Sequence, residues 1–184
     1  MQGNFEACLT AFWTFDGARV DAAPGEHFAT SYGVTKMSWD DAVNEGLVSG
    51  DMNNAPVADF AKILEANYWD RNNCNQLPIG IDLMVFNDGT LSGYDHAAKL
   101  LQRLVGTEVD GQIGPLTLKA VGAFIAASSI EALIDRIAGA DKIYLLQLNN
   151  APLYINGWMR RERYMQTTAY NMVATYLDSG KPRI

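Results

Sequence analysis

Apolar positions recur at helical spacing along almost the whole of this chain. From Asn4 to Phe15, residues Phe5, Leu9, Phe12 and Trp13 fall on one helical face. The stretch from Asp16 to Thr35 breaks the pattern: Gly17, Pro24, Gly25 and Gly33 interrupt it, and polar residues replace the apolar period. It reads as one long loop, and loops of this length in compact domains tend to carry function. Beyond it, Ser38-x-x-Asp41 reads as the capping-box-like start of a short helix. Pro56 stands where the next helix begins, and Val57, Phe60, Ile63, Leu64 and Tyr68 hold a stripe up to Trp69.

Asn72 to Asn75 form a polar connector, after which Pro78 to Leu91 is apolar on nearly every side. That pattern predicts a helix buried at the centre of a bundle. Gly93 ends it, and Tyr94 to Val105 begins another helix with Ala97, Leu100, Leu101 and Leu104 inward. Asp110-Gly111 is a turn signal, and Gly114-Pro115 starts the following helix. Ser128-x-x-Glu131 reads as a capping box before Leu133, Ile134, Ile137 and Ala138. Lys142 to Leu148 continues as helix, and a last helix covers Tyr154 to Asp178. Strand-like alternation is scarce, so the predicted fold is all-α.

Composition narrows the class. The chain has 184 residues with 48% apolar and 19% charged residues, which fits a globular protein able to build a core without staples. No apolar run reaches the length of a membrane span, and the N-terminal stretch lacks a basic segment followed by an apolar one. The expectation is a chain made in the cytoplasm without a classical signal peptide and not inserted into a membrane. Cys8 and Cys74 form no disulfide framework and read as core or surface thiols. Net charge is −7, and residues 1–92 hold most of the acids. A nucleic-acid partner would need a basic patch there, so none is expected. Arg160, Arg161 and Arg163 are the only basic cluster and read as a solvated helix face.

Familiar catalytic signatures are missing. There is no Gly-rich phosphate loop, no His-Glu-x-x-His and no Cys-x-x-Cys, and His27 and His96 stand far apart in sequence. No metal or organic cofactor is implied. Carboxylates remain: Asp16 stands where the first helix gives way to the loop, beside Phe15, and Glu26, Asp82 and Asp88 are further candidates. A carboxyl desolvated by aromatic groups keeps its proton to higher pH, as a general acid must. Tyr32, Tyr68 and Trp69 are candidate sugar-stacking platforms.

The ordered motifs resemble glycoside hydrolase family 108, the lysozyme-like muramidases that include many phage endolysins. In that family a Glu-Gly-Gly-Tyr start leads through an Asp/Pro/Gly loop to Ala-Thr-Asn-Tyr-Gly-Ile-Thr. Here Asp16 to Thr35 aligns without a gap and is nearly identical from Ala29 onward. Tyr68-Trp69-Asp70, Leu77-Pro78, Ile81-Asp82 to Phe86 and Ser92-Gly93 follow in the family's order. Ala97 to Arg103, Asp110 to Leu118 and Gly157 to Arg161 resemble its C-terminal peptidoglycan-binding region. The departures cluster. The family's catalytic glutamate falls on Asp16, its Gly-Tyr on Ala18-Arg19, a glycine pair on His27-Phe28, an Asp on Asn87 and an Asn on Leu91.

The resemblance implies a lysozyme-like helical bundle with a long functional loop after the first helix. It implies a catalytic region over residues 1–92 and a peptidoglycan-binding-like region over 93–184 packed on it. The implied activity is N-acetylmuramidase cleavage of peptidoglycan glycan strands, with Asp16 as general acid and Glu26 as the alternative. Thr30, Tyr32, Tyr68, Trp69 and Asp82 would line the sugar groove, with Asp82 or Thr30 orienting the attacking water. Such an enzyme acts in the periplasm or at the cell wall, reached through a holin or a secretion route. The alternative is a module that kept the fold, lost turnover, and binds peptidoglycan or a protein partner.

Overall fold

The computed structural model describes residues 3–17, 19–20 and 30–180. Within them the helices are α1 (Phe5–Asp16), α2 (Lys36–Asn44), α3 (Val57–Leu64), α4 (Ile81–Ser92), α5 (Tyr94–Val105), α6 (Pro115–Ala127), α7 (Ile130–Leu146) and α8 (Ala151–Asp178). The all-α architecture expected from the periodicity is the one found. Short 3-10 turns occupy Met52–Asn54 and Cys74–Gln76, and α3 runs on into a π-helical turn, Glu65–Asp70.

Helix α4 is the axis of the molecule, with every position from Ile81 to Gly89 buried. Its even apolarity suits that place, because α1, α5, α7 and α8 all pack against it and no face is left for water. The α8 helix runs antiparallel to it. Asn87 of α4 meets Glu162, whereas Gly80, just before α4, meets Ala169 and Val173 further along α8. A Cβ at Gly80 would stand 2.9 Å from Val173 Cγ2, so the crossing is close enough to require glycine. Phe5, Phe12, Trp69 and Phe86 join α1 to α4, with ring centroids 5.4–6.0 Å apart.

The segment expected to be one long loop contains a three-stranded antiparallel sheet of β1 (Arg19–Val20), β2 (Thr30–Ser31) and β3 (Val34–Thr35). Strands of two residues cannot display an alternating pattern, which is why the sequence reads as loop. The β2–β3 turn is Tyr32-Gly33, with φ of 51° and 81°. Two positive values are the mark of a type I′ hairpin turn, whose twist matches paired strands. Gly33 is needed twice over, since a Cβ there would lie 2.4 Å from the Phe12 ring. Tyr32 holds its left-handed backbone because Trp13 Nε1 donates to its carbonyl at 3.0 Å and its ring packs on Trp13 and Phe60.

Several helix starts differ from expectation. Thr35, not Ser38, caps α2: its Oγ1 accepts from the Ser38 N–H at 3.2 Å. Ser129, not Ser128, caps α7, accepting from the Ala132 N–H at 3.1 Å, while Ser128 ends α6. Both caps sit one to three residues from the serine the motif favoured, because several hydroxyl residues compete for each helix end. Helix α8 begins at Ala151 with Pro152 in its first turn, earlier than Tyr154. Cys8 and Cys74 are buried, and neither is in a disulfide.

Candidate functional site

Position 16 is the last residue of α1, where the Gly17 N–H closes the helix on the Trp13 carbonyl at 2.9 Å. Strand pairing then returns the chain to this end, with Arg19 opposite Ser31 and Val20 opposite Thr30. Thr30 is half-buried on β2, so the sheet brings it near the end of α1. The side chain of Asp16 and all of Glu26 lie outside the described residues, as do Ala18, His27 and Phe28.

The other predicted site residues divide sharply. Tyr68 is half-buried and stands beside Gly89, in the second half of α4. Tyr32 is half-buried, but its ring is engaged with Trp13 and Phe60. Trp69 is fully buried between Phe5 and Phe86 and is core, not a sugar platform. Asp82 is also fully buried and does not line a groove. It sits at the start of α4, accepting from Gly80 N–H and Leu83 N–H at 2.8 Å each and from Asn4 Nδ2 at 2.7 Å. Asn4 is at the opposite end of α1 from position 16, about 18 Å away along the helix. Burial pushes the Asp82 carboxyl up to about 6, against the pull of those donors. Its work is to tie the starts of α1 and α4 together.

A polar network unforeseen in the sequence lies nearer the end of α1. Arg161, only 8% exposed, is not on a solvated face. Its Nε donates to Asn87 Oδ1 and its Nη2 to Thr90 Oγ1, each at 2.7 Å, and its guanidinium lies 4.9 Å from the Phe12 ring centroid. Asn87 Nδ2 donates in turn to Glu162 Oε1 at 2.7 Å. The amide at 87 is thus fixed in one orientation, its oxygen serving the cation and its nitrogen serving the acid. An Asp at this position could answer Arg161 but would set a second carboxyl against Glu162. The signal was present: Arg161, Met165, Ala169 and Val173 recur at spacing four, along the buried stripe of α8.

Behind this network lies a cluster of buried acids. Glu162 is raised to about 7, chiefly by burial. Asp141 is held well above the usual carboxylate range by burial first, then by the charges of Asp88 and Glu162. No described donor reaches either Asp141 oxygen, which leaves burial and the neighbouring carboxylates unopposed. Asp88 also has His96 Nδ1 at 3.2 Å from both its oxygens, and the imidazole stacks on Tyr144 at 4.0 Å.

Among the described residues, no three His, Cys, Asp or Glu side chains converge as metal ligands. No single described helix is long and apolar enough to cross a membrane. A cavity of about 430 Å³ lined by Ile79, Ile125, Ile130, Val173 and Leu177 lies toward the start of α4, away from position 16.

Residues 16–93 match the family model described as Glycosyl hydrolase 108, and residues 96–163 match the one described as Predicted Peptidoglycan domain. The first match opens on the residue that closes α1. The solved structure of Brucella abortus SagA is similar to this chain, with a TM-score of 0.79 and 27% sequence identity, covering 92% of this chain and 95% of that one. None of the curated proteins matches the sequence. By these matches and this fold, the chain carries a segment similar to glycosyl hydrolase 108 over residues 16–93, followed by one similar to a predicted peptidoglycan domain over residues 96–163.

Proposed function

We propose that the protein hydrolyses the glycosidic bond between aminosugars of the peptidoglycan glycan strand, with Asp16 as general acid. The observation that carries this reading is the position of residue 16. It ends α1 where the hairpin strands and α8 meet, at the first residue of the hydrolase match. A helix C-terminus is the negative end of its dipole, and no basic residue occupies the last turn of α1. Proton donation to a leaving oxygen is what the reading asks of a carboxyl in that place. Thr30 and Tyr68 are the described candidates for lining the groove, Thr30 with a hydroxyl to orient water. Trp69 and Asp82 take no part, being core.

Aspartate is one methylene shorter than the family's glutamate, a retreat of about 1 Å, and a misplacement of that size can lower the rate about 10²-fold. The reading therefore requires a groove shaped to bring the sugar closer. The substrate lies outside the cytoplasmic membrane, so the protein acts at the cell wall after leaving the cytoplasm. The test is release of soluble muropeptides from purified sacculi by the wild type, Asp16→Asn and Asp16→Glu. Release by the wild type that vanishes in Asp16→Asn is expected. An inert wild type with gain in Asp16→Glu would instead identify a glycan-binding module whose groove outlived its chemistry.

A further inference from the structure

We propose that Arg161 is the positioning residue of this site, fixing the end of α1 against α4 so that residue 16 meets the substrate in one geometry. The proposal rests on Asp16 being the acid. Three elements meet at this guanidinium. From α8 it donates to Asn87 and Thr90 of α4 at 2.7 Å each, and its flat face rests 4.9 Å from the ring centroid of Phe12. Residue 16 is one helical turn beyond Phe12 on the same face of α1. A second contact holds the same turn, since Phe15 packs on Tyr164, one turn further along α8, with centroids 5.5 Å apart. The last turn of α1 is thereby docked at two points on α8.

The chemistry of the guanidinium suits the task. A fixed planar fork addresses two acceptors while its face remains available for an aromatic ring, which an ammonium cannot reproduce. Asn87 is clamped from its other side by Glu162, so the fork itself stands on an immobile base. Nearly complete burial of Arg161 excludes the water that would otherwise compete for both acceptors. Arg160 and Arg163, its exposed neighbours, share none of this.

Arg161→Lys tests the proposal, with Arg160→Lys as control and Thr90→Val as a milder second variant that removes one acceptor and leaves the arginine. On soluble glycan strands, Arg161→Lys should lower kcat about 10–100-fold while KM stays within about threefold, because the lost geometry acts on the reacting step and not on binding. Thr90→Val should move kcat in the same direction by less, and Arg160→Lys should move neither constant. Hydrogen exchange supplies a readout independent of turnover. The amides from Phe12 to Gly17 should exchange about 3–30-fold faster in Arg161→Lys, the worth of the lost cation–ring contact. Unchanged protection at Gly17, or a rise in KM with kcat intact, overturns the proposal. An inert wild type with that protection lost in Arg161→Lys would refute the glycosidase reading and still support the anchoring of α1 by Arg161.

Discussion

Replacing Glu162 with Gln separates the electrostatic cost of this buried acid from its packing. Burial raises the carboxyl from an ordinary 4.5 to about 7. Between those values the folded state binds more protons than the unfolded one, so stability is present below pH 4.5 and is lost as pH rises to 7. The loss is about 3 kcal/mol. For a chain of this size it corresponds to a fall in Tm of about 6–12 °C. Gln keeps the acceptor that Asn87 Nδ2 uses, since only Oε1 is engaged and Oε2 has no partner among the described residues. Its new amide protons meet that same empty side, so Glu162→Gln should start lower at pH 5 by about 1–3 kcal/mol. Asp82 and Asp141 are raised too and give a slope of the same sign in both proteins. The diagnostic quantity is therefore the difference in Tm between variant and wild type, followed by circular dichroism from pH 5 to pH 8. It should move in the variant's favour across that range. Parallel curves would refute the assignment of a buried, proton-holding Glu162.

Three further perturbations probe the scaffold. Gly33→Ala forces a Cβ to within 2.4 Å of the Phe12 ring at a positive φ; urea unfolding should show a loss of about 3 kcal/mol, and a loss under 1 kcal/mol would contradict the described turn. Asp82→Ala strands the Gly80 and Leu83 N–H groups and the Asn4 amide, lowering stability by about 3 kcal/mol at pH 8. A near-neutral result there would mean that water reaches those donors. Ser129→Ala should lower stability by about 1 kcal/mol and Ser128→Ala by much less, because only Ser129 accepts the Ala132 N–H; equal effects would return the cap to the serine pair as a whole.

Helical stripes carried most of the fold into view. Phe5, Leu9 and Phe12 lie buried on α1 as their spacing implies, and the even apolarity of residues 81–89 announced a central helix. The site was less legible because burial reverses the meaning of a residue type. Asp82 reads as a groove acid until its three donors are seen, and Trp69 reads as a sugar platform until Phe5 and Phe86 enclose it. Arg161 sits inside a run of three basic residues whose composition signals solvent, although its register with Met165, Ala169 and Val173 points inward. Partners far away in sequence decide such cases: Asn87 and Arg161 are 74 residues apart. The end of α1 at position 16 was visible at once, since a helix that stops before a glycine-rich stretch needs no tertiary information.

The wide turn at Glu65–Asp70 constrains the length of the chain there. A π turn accommodates one residue more than an α turn would. Deleting any one of these six residues would let the backbone close as ordinary helix, with its hydrogen bonds intact. Everything downstream would nevertheless be turned by about 100°. Asn72 and Cys74, both fully enclosed, would swing toward solvent before α4 begins. A single-codon deletion in this largely polar stretch should thus be as damaging as one inside the core, while leaving the local helix content unchanged.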